Sequence, residues 1–172
     1  MQGNRRLISY IAATILVTGG LATGALAAVI SSSSTALLRV DNRSNVGSQT
    51  TTLNGYTDLT GASVTVTIPT GGRLIRARFA AESKCEGSVN QTCLVRIVAF
   101  NTGTSATLEL NPQSGTDFAF DAVSTDGAEA HAMERSRRLT PGTYNIKVQF
   151  AVTGIMVANT LDDWHFTVET WQ

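Results

Sequence analysis

Cys85 and Cys93 are the only two cysteines, separated by the polar, turn-prone segment Glu86–Thr92. In an exported chain a close, even pair reads as a disulfide. Its simplest setting is the base of a hairpin loop between two strands. A metal or redox pair is the rival reading, but Cys-x7-Cys lacks the close spacing of a zinc knuckle or a redox motif. Asp121, Asp126, Asp162 and Asp163 are hard oxygen ligands that could take calcium, the adjacent Asp162-Asp163 pair above all. No loop repeats an Asp-x-Asp-x-Asp-Gly spacing, and turn or capping aspartates are the plainer reading. His131 sits near Glu129, Met133 and Glu134 and could do acid–base work only with a partner nucleophile or carboxylate. There is no Gly-x-Ser-x-Gly elbow. His131 and His165 are too few for an all-histidine zinc site, so no cofactor is expected.

Arg76, Arg78 and Arg96 project from what read as adjacent strands, with Arg135, Arg137 and Arg138 clustered further on. On one sheet face they would hold an anionic partner such as an acidic polysaccharide. The alternative is cross-strand pairing with Glu82, Glu109, Glu134 or Glu169. Trp171 reads as outward-facing and able to stack on a sugar ring, whereas Trp164 reads as core.

Strands must position these groups. Val64, Val66 and Ile68 alternate with Thr65 and Thr67 up to the Pro69–Gly72 stop. Ile75, Ala77, Phe79 and Ala81 face one way, Arg76 and Arg78 the other. Leu94–Phe100 is apolar on both faces except Arg96, which marks a central strand. Leu108 and Leu110 flank Glu109, and Phe118 and Phe120 alternate with Ala119 and Asp121. Residues 122–130 read as a loop and His131–Leu139 as a polar edge strand. After the Pro141-Gly142 turn, Tyr144, Ile146, Val148, Phe150 and Val152 make the cleanest inward stripe. Trp164, Phe166 and Val168 face opposite to His165, Thr167, Glu169 and Trp171. No helical periodicity follows the N-terminal segment. The fold class is all-β: a two-sheet antiparallel sandwich, jelly-roll-like by first choice and immunoglobulin-like by second.

The first 28 residues carry Arg5 and Arg6, then an uncharged run closing on Ala25-Leu26-Ala27, the small-x-small pattern of a signal peptidase site. They read as a signal peptide preceding the domain, or as an N-terminal anchor if uncleaved, since the run is about as long as the ~20 residues a span requires. The adjacent arginines also fit a loose twin-arginine signal. Residues 29–52 read as a Ser/Thr/Asn-rich linker or first strand around Leu37–Val40, and residues 53–172 as the sandwich. The chain has 13 basic and 13 acidic residues, and removal of Arg5 and Arg6 leaves 11 against 13. That balance gives no reason to expect nucleic acid. At 42% hydrophobic and 15% charged, the composition favours a packed domain over disorder. Asn42-Arg43-Ser44 and Asn90-Gln91-Thr92 match a glycosylation sequon, relevant only in a eukaryotic host.

Several segments, in order, resemble a group of small exported bacterial proteins of unknown function. They are Arg78-Phe79-Ala80-Ala81-Glu82-Ser83 before Cys85, Cys93-Leu94-Val95-Arg96-Ile97, residues 114–121, residues 134–139, Gly142-Thr143-Tyr144, and Leu161-Asp162-Asp163-Trp164. The resemblance covers about residues 53–170. It implies a jelly-roll-like sandwich similar in outline to tumour-necrosis-factor and C1q-type domains. A homotrimer or other homo-oligomer is implied by the resemblance alone, and no catalytic residue carries over.

The expectation is a secreted or cell-surface, non-enzymatic module acting through its surface or by self-assembly. The alternative is a domain that binds carbohydrate or an envelope polymer, with or without calcium. Membrane contact is expected only through an uncleaved N-terminal segment. A hydrolase would need carboxylates, or a serine with His131, converging in a cleft.

Overall fold

The computed structural model describes residues 36–87, 91–113, 119–123, 127–155 and 157–172. The N-terminal segment 1–28, residues 29–35, Asn90, Phe118 and Asp126 lie outside the described residues. Among the described residues there are ten strands and no helix: β1 Leu37–Asn45, β2 Gln49–Thr51, β3 Thr57–Ile68, β4 Arg73–Glu86, β5 Thr92–Asn101, β6 Thr107–Glu109, β7 Asp121–Ala122, β8 Glu129–Leu139, β9 Gly142–Val152 and β10 Ala158–Trp171. Sheet I runs β1-β10-β4-β8, with β2 continuing beside β10, and sheet II runs β3-β9-β5-β6, with β7 on β5. All the ladders are antiparallel.

The chain crosses repeatedly between the sheets. β1 and β2, first in the chain, both lie beside the last strand, β10, in sheet I, and the next strands inward, β3 and β9, are neighbours in sheet II. This nesting is a jelly-roll arrangement. Strand alternation decides which face each sheet buries. On β4, Ile75, Ala77, Phe79, Ala81, Ser83 and Cys85 are buried, while alternate residues from Arg78 to Glu86 are exposed. On β9, Tyr144, Ile146, Val148 and Phe150 are buried between half-exposed Thr143, Asn145, Lys147 and Gln149. The two inner faces form one apolar layer that includes Phe79, Val95, Ile97, Ile146, Leu161, Trp164 and Phe166. Its removal from water is the main stabilising term.

β8 is an edge strand that starts at Glu129, earlier than the polar run suggests. The end of β7 and the start of β8 fall within residues 122–130, which read as loop. β1 is exposed at every residue but Asp41, so no alternation announces it. Its backbone pairing with β10, from Leu37↔Trp171 to Asn45↔Trp164, holds it in place.

The hairpin expectation for the cysteines is corrected by the topology. β4 belongs to sheet I and β5 to sheet II, and the two share no ladder. The Cys85–Cys93 disulfide, with Cα atoms 5.7 Å apart, joins the two layers.

Candidate functional site

Beside the disulfide lies a polar tie between the sheets. Alternation on β4 turns Ser83 inward between Ala81 and Cys85, where it is fully buried. Its hydroxyl lies 2.8 Å from Asp121 Oδ2 on β7 and 2.8 Å from His131 Nδ1 on β8. Asp121 Oδ1 accepts the Ala122 N–H at 2.7 Å. A carboxylate only accepts, so the single hydroxyl proton goes to Asp121, and His131 Nδ1 must carry its own proton to complete the second bond. In that order the imidazole donates to the serine and has no lone pair there to take its proton. Serine and His131 thus converge, with Ser83 buried and the imidazole half-exposed, and with the proton order opposite to that of a nucleophile and its base.

Asn159, also fully buried, makes a second tie. It stands on β10 opposite Cys85, and its Nδ2 donates to Leu94 O on β5 at 3.2 Å and to Ala151 O on β9 at 3.1 Å. Sequence reasoning passed over both Ser83 and Asn159. The available signal was a polar residue at an inward-facing position, which requires a partner across the core. Ser83→Ala should therefore cost about 1–3 kcal/mol by stranding Asp121 and His131. Urea denaturation of both proteins measures this; an unchanged midpoint would show that the tie carries no energy.

The outer face of sheet I gathers Arg76, Arg78 and Trp171. Arg76 lies opposite Glu169 on β10 and Ser136 on β8, and Arg78 opposite Thr167 and Glu134. Arg76 Nε is 2.8 Å and Arg78 Nε 2.7 Å from the Glu134 carboxylate, and Arg78 Nη2 is 3.3 Å from Glu169 Oε1. Two cations and two anions neutralise each other across three strands, which leaves no excess positive charge for an anion. Trp171 is half-buried, and its indole N–H donates to Glu169 Oε2 at 3.0 Å. Next to this network is an open hollow of about 510 Å³ over Ala80 and Ala132, edged by Arg78, Glu134, His165 and Thr167.

Arg96 is not part of that set. It lies on the outer face of sheet II, where the Tyr56 ring is 3.9 Å from its guanidinium carbon. Its Nε donates to Gln149 Oε1 at 2.9 Å, and Nη1 is 3.7 Å from Glu109. Gln149 and Lys147 both donate to Asp58 at 2.6 Å, and Lys147 Nζ lies 5.0 Å from the Phe100 ring centre. Nothing in the local sequence announced this band, because Asp58, Arg96 and Lys147 come from three strands that pair only through topology, and Tyr56 lies just before the first of them.

One carboxylate in each network, Glu134 and Asp58, titrates below its ordinary value. The hydrogen bond from Arg76, aided by Arg78, outweighs burial and holds Glu134 down. At Asp58 burial pushes the carboxyl up, but hydrogen bonds from Lys147 and Gln149 outweigh it and the net shift is downward. A depressed carboxylate contributes stability that is present above its unfolded value and lost as pH falls through the folded one. Glu134 is 46% exposed and Asp58 51%, so after screening each is worth at most about 1 kcal/mol. Stability should fall more steeply below pH 4.5 in the wild type than in Glu134→Gln. Parallel acid limbs in thermal melts would contradict this.

Asp162 and Asp163 have a structural task. The β10 register shifts between Asp162 and His165, and Asp163 takes a left-handed φ of 43°. This bulge turns Trp164 into the core. The Asp163 N–H donates to Asp162 Oδ1 at 2.9 Å. Asp121 is engaged with Ser83, distant in role from that pair. Among the described residues no three acidic, histidine or cysteine side chains are grouped to hold a metal ion.

The buried disulfide is consistent with an extracytoplasmic protein. No protein-family model matches the chain, and no curated protein matches it in sequence. Among solved structures it is similar to dimeric latent PorU from Porphyromonas gingivalis, at 13% identity and a TM-score of 0.29. That likeness covers 80% of this chain and 13% of the other, and assigns neither family nor function.

Proposed function

We propose that this is an exported, non-enzymatic β-sandwich module, of the tumour-necrosis-factor and C1q-like outline, that acts through its outer surfaces by self-assembly. The observation that carries the reading is the disposition of its polar chemistry. Ser83, His131 and Asp121 are spent on joining the sheets, while the charged networks lie on open outer faces. Export rests on the basic head and small-x-small site of the first 28 residues, with the buried disulfide in support. Light scattering of the domain across a concentration series tests self-assembly; a strict monomer at high concentration sinks it.

A second reading, binding of carbohydrate or an envelope polymer, draws support from the sheet II face. Tyr56 and Phe100 are half-exposed rings beside Arg96, Asp58, Lys147 and Gln149. Trp171 suits that role less well, since Glu169 holds its indole. A glycan array probed with calcium and with chelator tests it; no binding in either condition would dismiss it.

A further inference from the structure

A β-sandwich has to guard the unpaired backbone at its sheet edges, and three of the four edges here carry guards. β1 places Arg39, Asp41 and Arg43 at positions whose β10 partners, Thr170, Val168 and Phe166, are buried. Inward-turned charge on an edge strand blocks the approach of another strand. β8 carries Arg135 and Arg137 at equivalent positions, and Asn111 bridges Ser136 with two hydrogen bonds of 2.9 Å. β6 and β7 are only three and two residues long.

The fourth edge, β3, is guarded over half its length. Its register shifts between Asp58 and Ser63, and there the Gln49 side chain imitates a neighbouring strand. Gln49 Nε2 donates to Thr60 O at 3.0 Å, and Thr60 N–H donates to Gln49 Oε1 at 2.8 Å. Beyond that, Ser63-Val64-Thr65-Val66-Thr67-Ile68 has no charge, no proline and no bulge, and among the described residues it pairs with β9 alone.

The pattern of this half-strand names its partner. Ser63, Thr65 and Thr67 are exposed while Val64, Val66 and Ile68 are buried. Two copies related by a two-fold axis through Thr65 would set Thr65 against Thr65, Ser63 against Thr67 and Val64 against Val66. Every outward hydroxyl then meets a hydroxyl, and every inward aliphatic meets an aliphatic. β-Branched pairs of this kind stabilise antiparallel ladders. We infer that residues 63–67 of β3 pair antiparallel with the same segment of a second copy, joining two sheets II into one continuous sheet. This rests on the self-assembly reading and specifies its surface.

The test uses Thr65→Lys and Thr65→Cys in the oxidised domain, with Thr60→Cys as control. Thr65 is exposed, its Oγ1 bonded to Asn145 Oδ1, so a thermal melt close to wild type should show both variants folded. Thr65→Lys sets two ammonium groups side by side at the axis and should weaken the dimer by roughly five- to tenfold in sedimentation equilibrium. Thr65→Cys should form a disulfide-linked dimer under mild oxidation, because directly opposed residues lie about 4.5–5.5 Å apart, within disulfide reach. Thr60→Cys should not. A monomeric wild type overturns both this inference and self-assembly. An oligomer indifferent to Thr65→Lys and not cross-linked by Thr65→Cys overturns the β3 pairing alone. In a monomer, exchange protection of those amides of residues 63–67 that do not donate to β9 would mean that another part of the chain covers the edge, and also overturns it.

Discussion

Trp164→Ala should be the most damaging single substitution in the domain, costing about 3–5 kcal/mol. The indole is 2% exposed and lies with its ring centre 6.4 Å from that of Phe79. Gly61 faces it from β3: a Cβ on Gly61 would lie 3.5 Å from the indole, and its φ of 86° belongs to the left-handed region that glycine tolerates. Two backbone irregularities, the β3 shift around Gly61 and the β10 bulge at Asp162–Asp163, thus meet at one side chain. An alanine would leave a cavity between elements already committed to unusual geometry and unable to close over it. For a domain of this size the loss corresponds to a fall in melting temperature of roughly 10–20 °C. Trp164→Phe should be milder. It keeps a ring in place and removes an indole N–H that has no hydrogen-bond partner among the described residues. Calorimetry on the two variants decides the matter. A loss below about 1 kcal/mol for the alanine variant would mean that the site is not the packed centre described.

The same residue shows what was legible. Where one strand face is buried, the period of two writes itself into the sequence, so Ile75–Ala81, Tyr144–Val152 and Trp164–Val168 could be read directly. The jelly-roll reading holds, although the setting read for the cysteines does not: their close spacing suits a hairpin, yet this disulfide joins two sheets. Local sequence does not record whether consecutive strands pair or cross over. For that reason Arg96 was grouped with Arg76 and Arg78, when alternation puts all three outward but on opposite sides of the molecule. Asp162-Asp163 stood out among aspartates that otherwise read as turn or capping residues, because adjacent carboxylates demand a cause. The cause is a bulge, visible only once Glu82 and Ala80 are known to lie opposite Asp162 and His165. β1 showed only as a linker or first strand around Leu37–Val40, because a strand held by backbone pairing and exposed along nearly its whole length needs no alternating pattern, and three-residue β2 is too short to show one.

Breaking the disulfide, as Cys85→Ser with Cys93→Ser, should cost about 2.5 kcal/mol from chain entropy for so short a loop. The fold should persist, because the apolar layer between the sheets does not depend on the bond. Its location adds a consequence that a hairpin disulfide would not have. In a hairpin, the ladder hydrogen bonds would still hold the reduced strands together. β4 and β5 share no ladder, so without the bond the two layers are joined at this end by Asn159, by the Ser83–Asp121 link and by the small apolar cluster of Val152 and Val157. Ser83→Ala should then be more damaging in the disulfide-free protein than in the oxidised one. Residues in one network couple by about 0.5–3 kcal/mol, whereas independent sites add. The measurement is a double-mutant cycle by urea denaturation, with Ser83→Ala made in both backgrounds. Strict additivity would show that the covalent and polar ties act independently. Mass spectrometry of the unreduced protein supplies the companion check, since two free thiols would remove the cross-link from which the coupling arises.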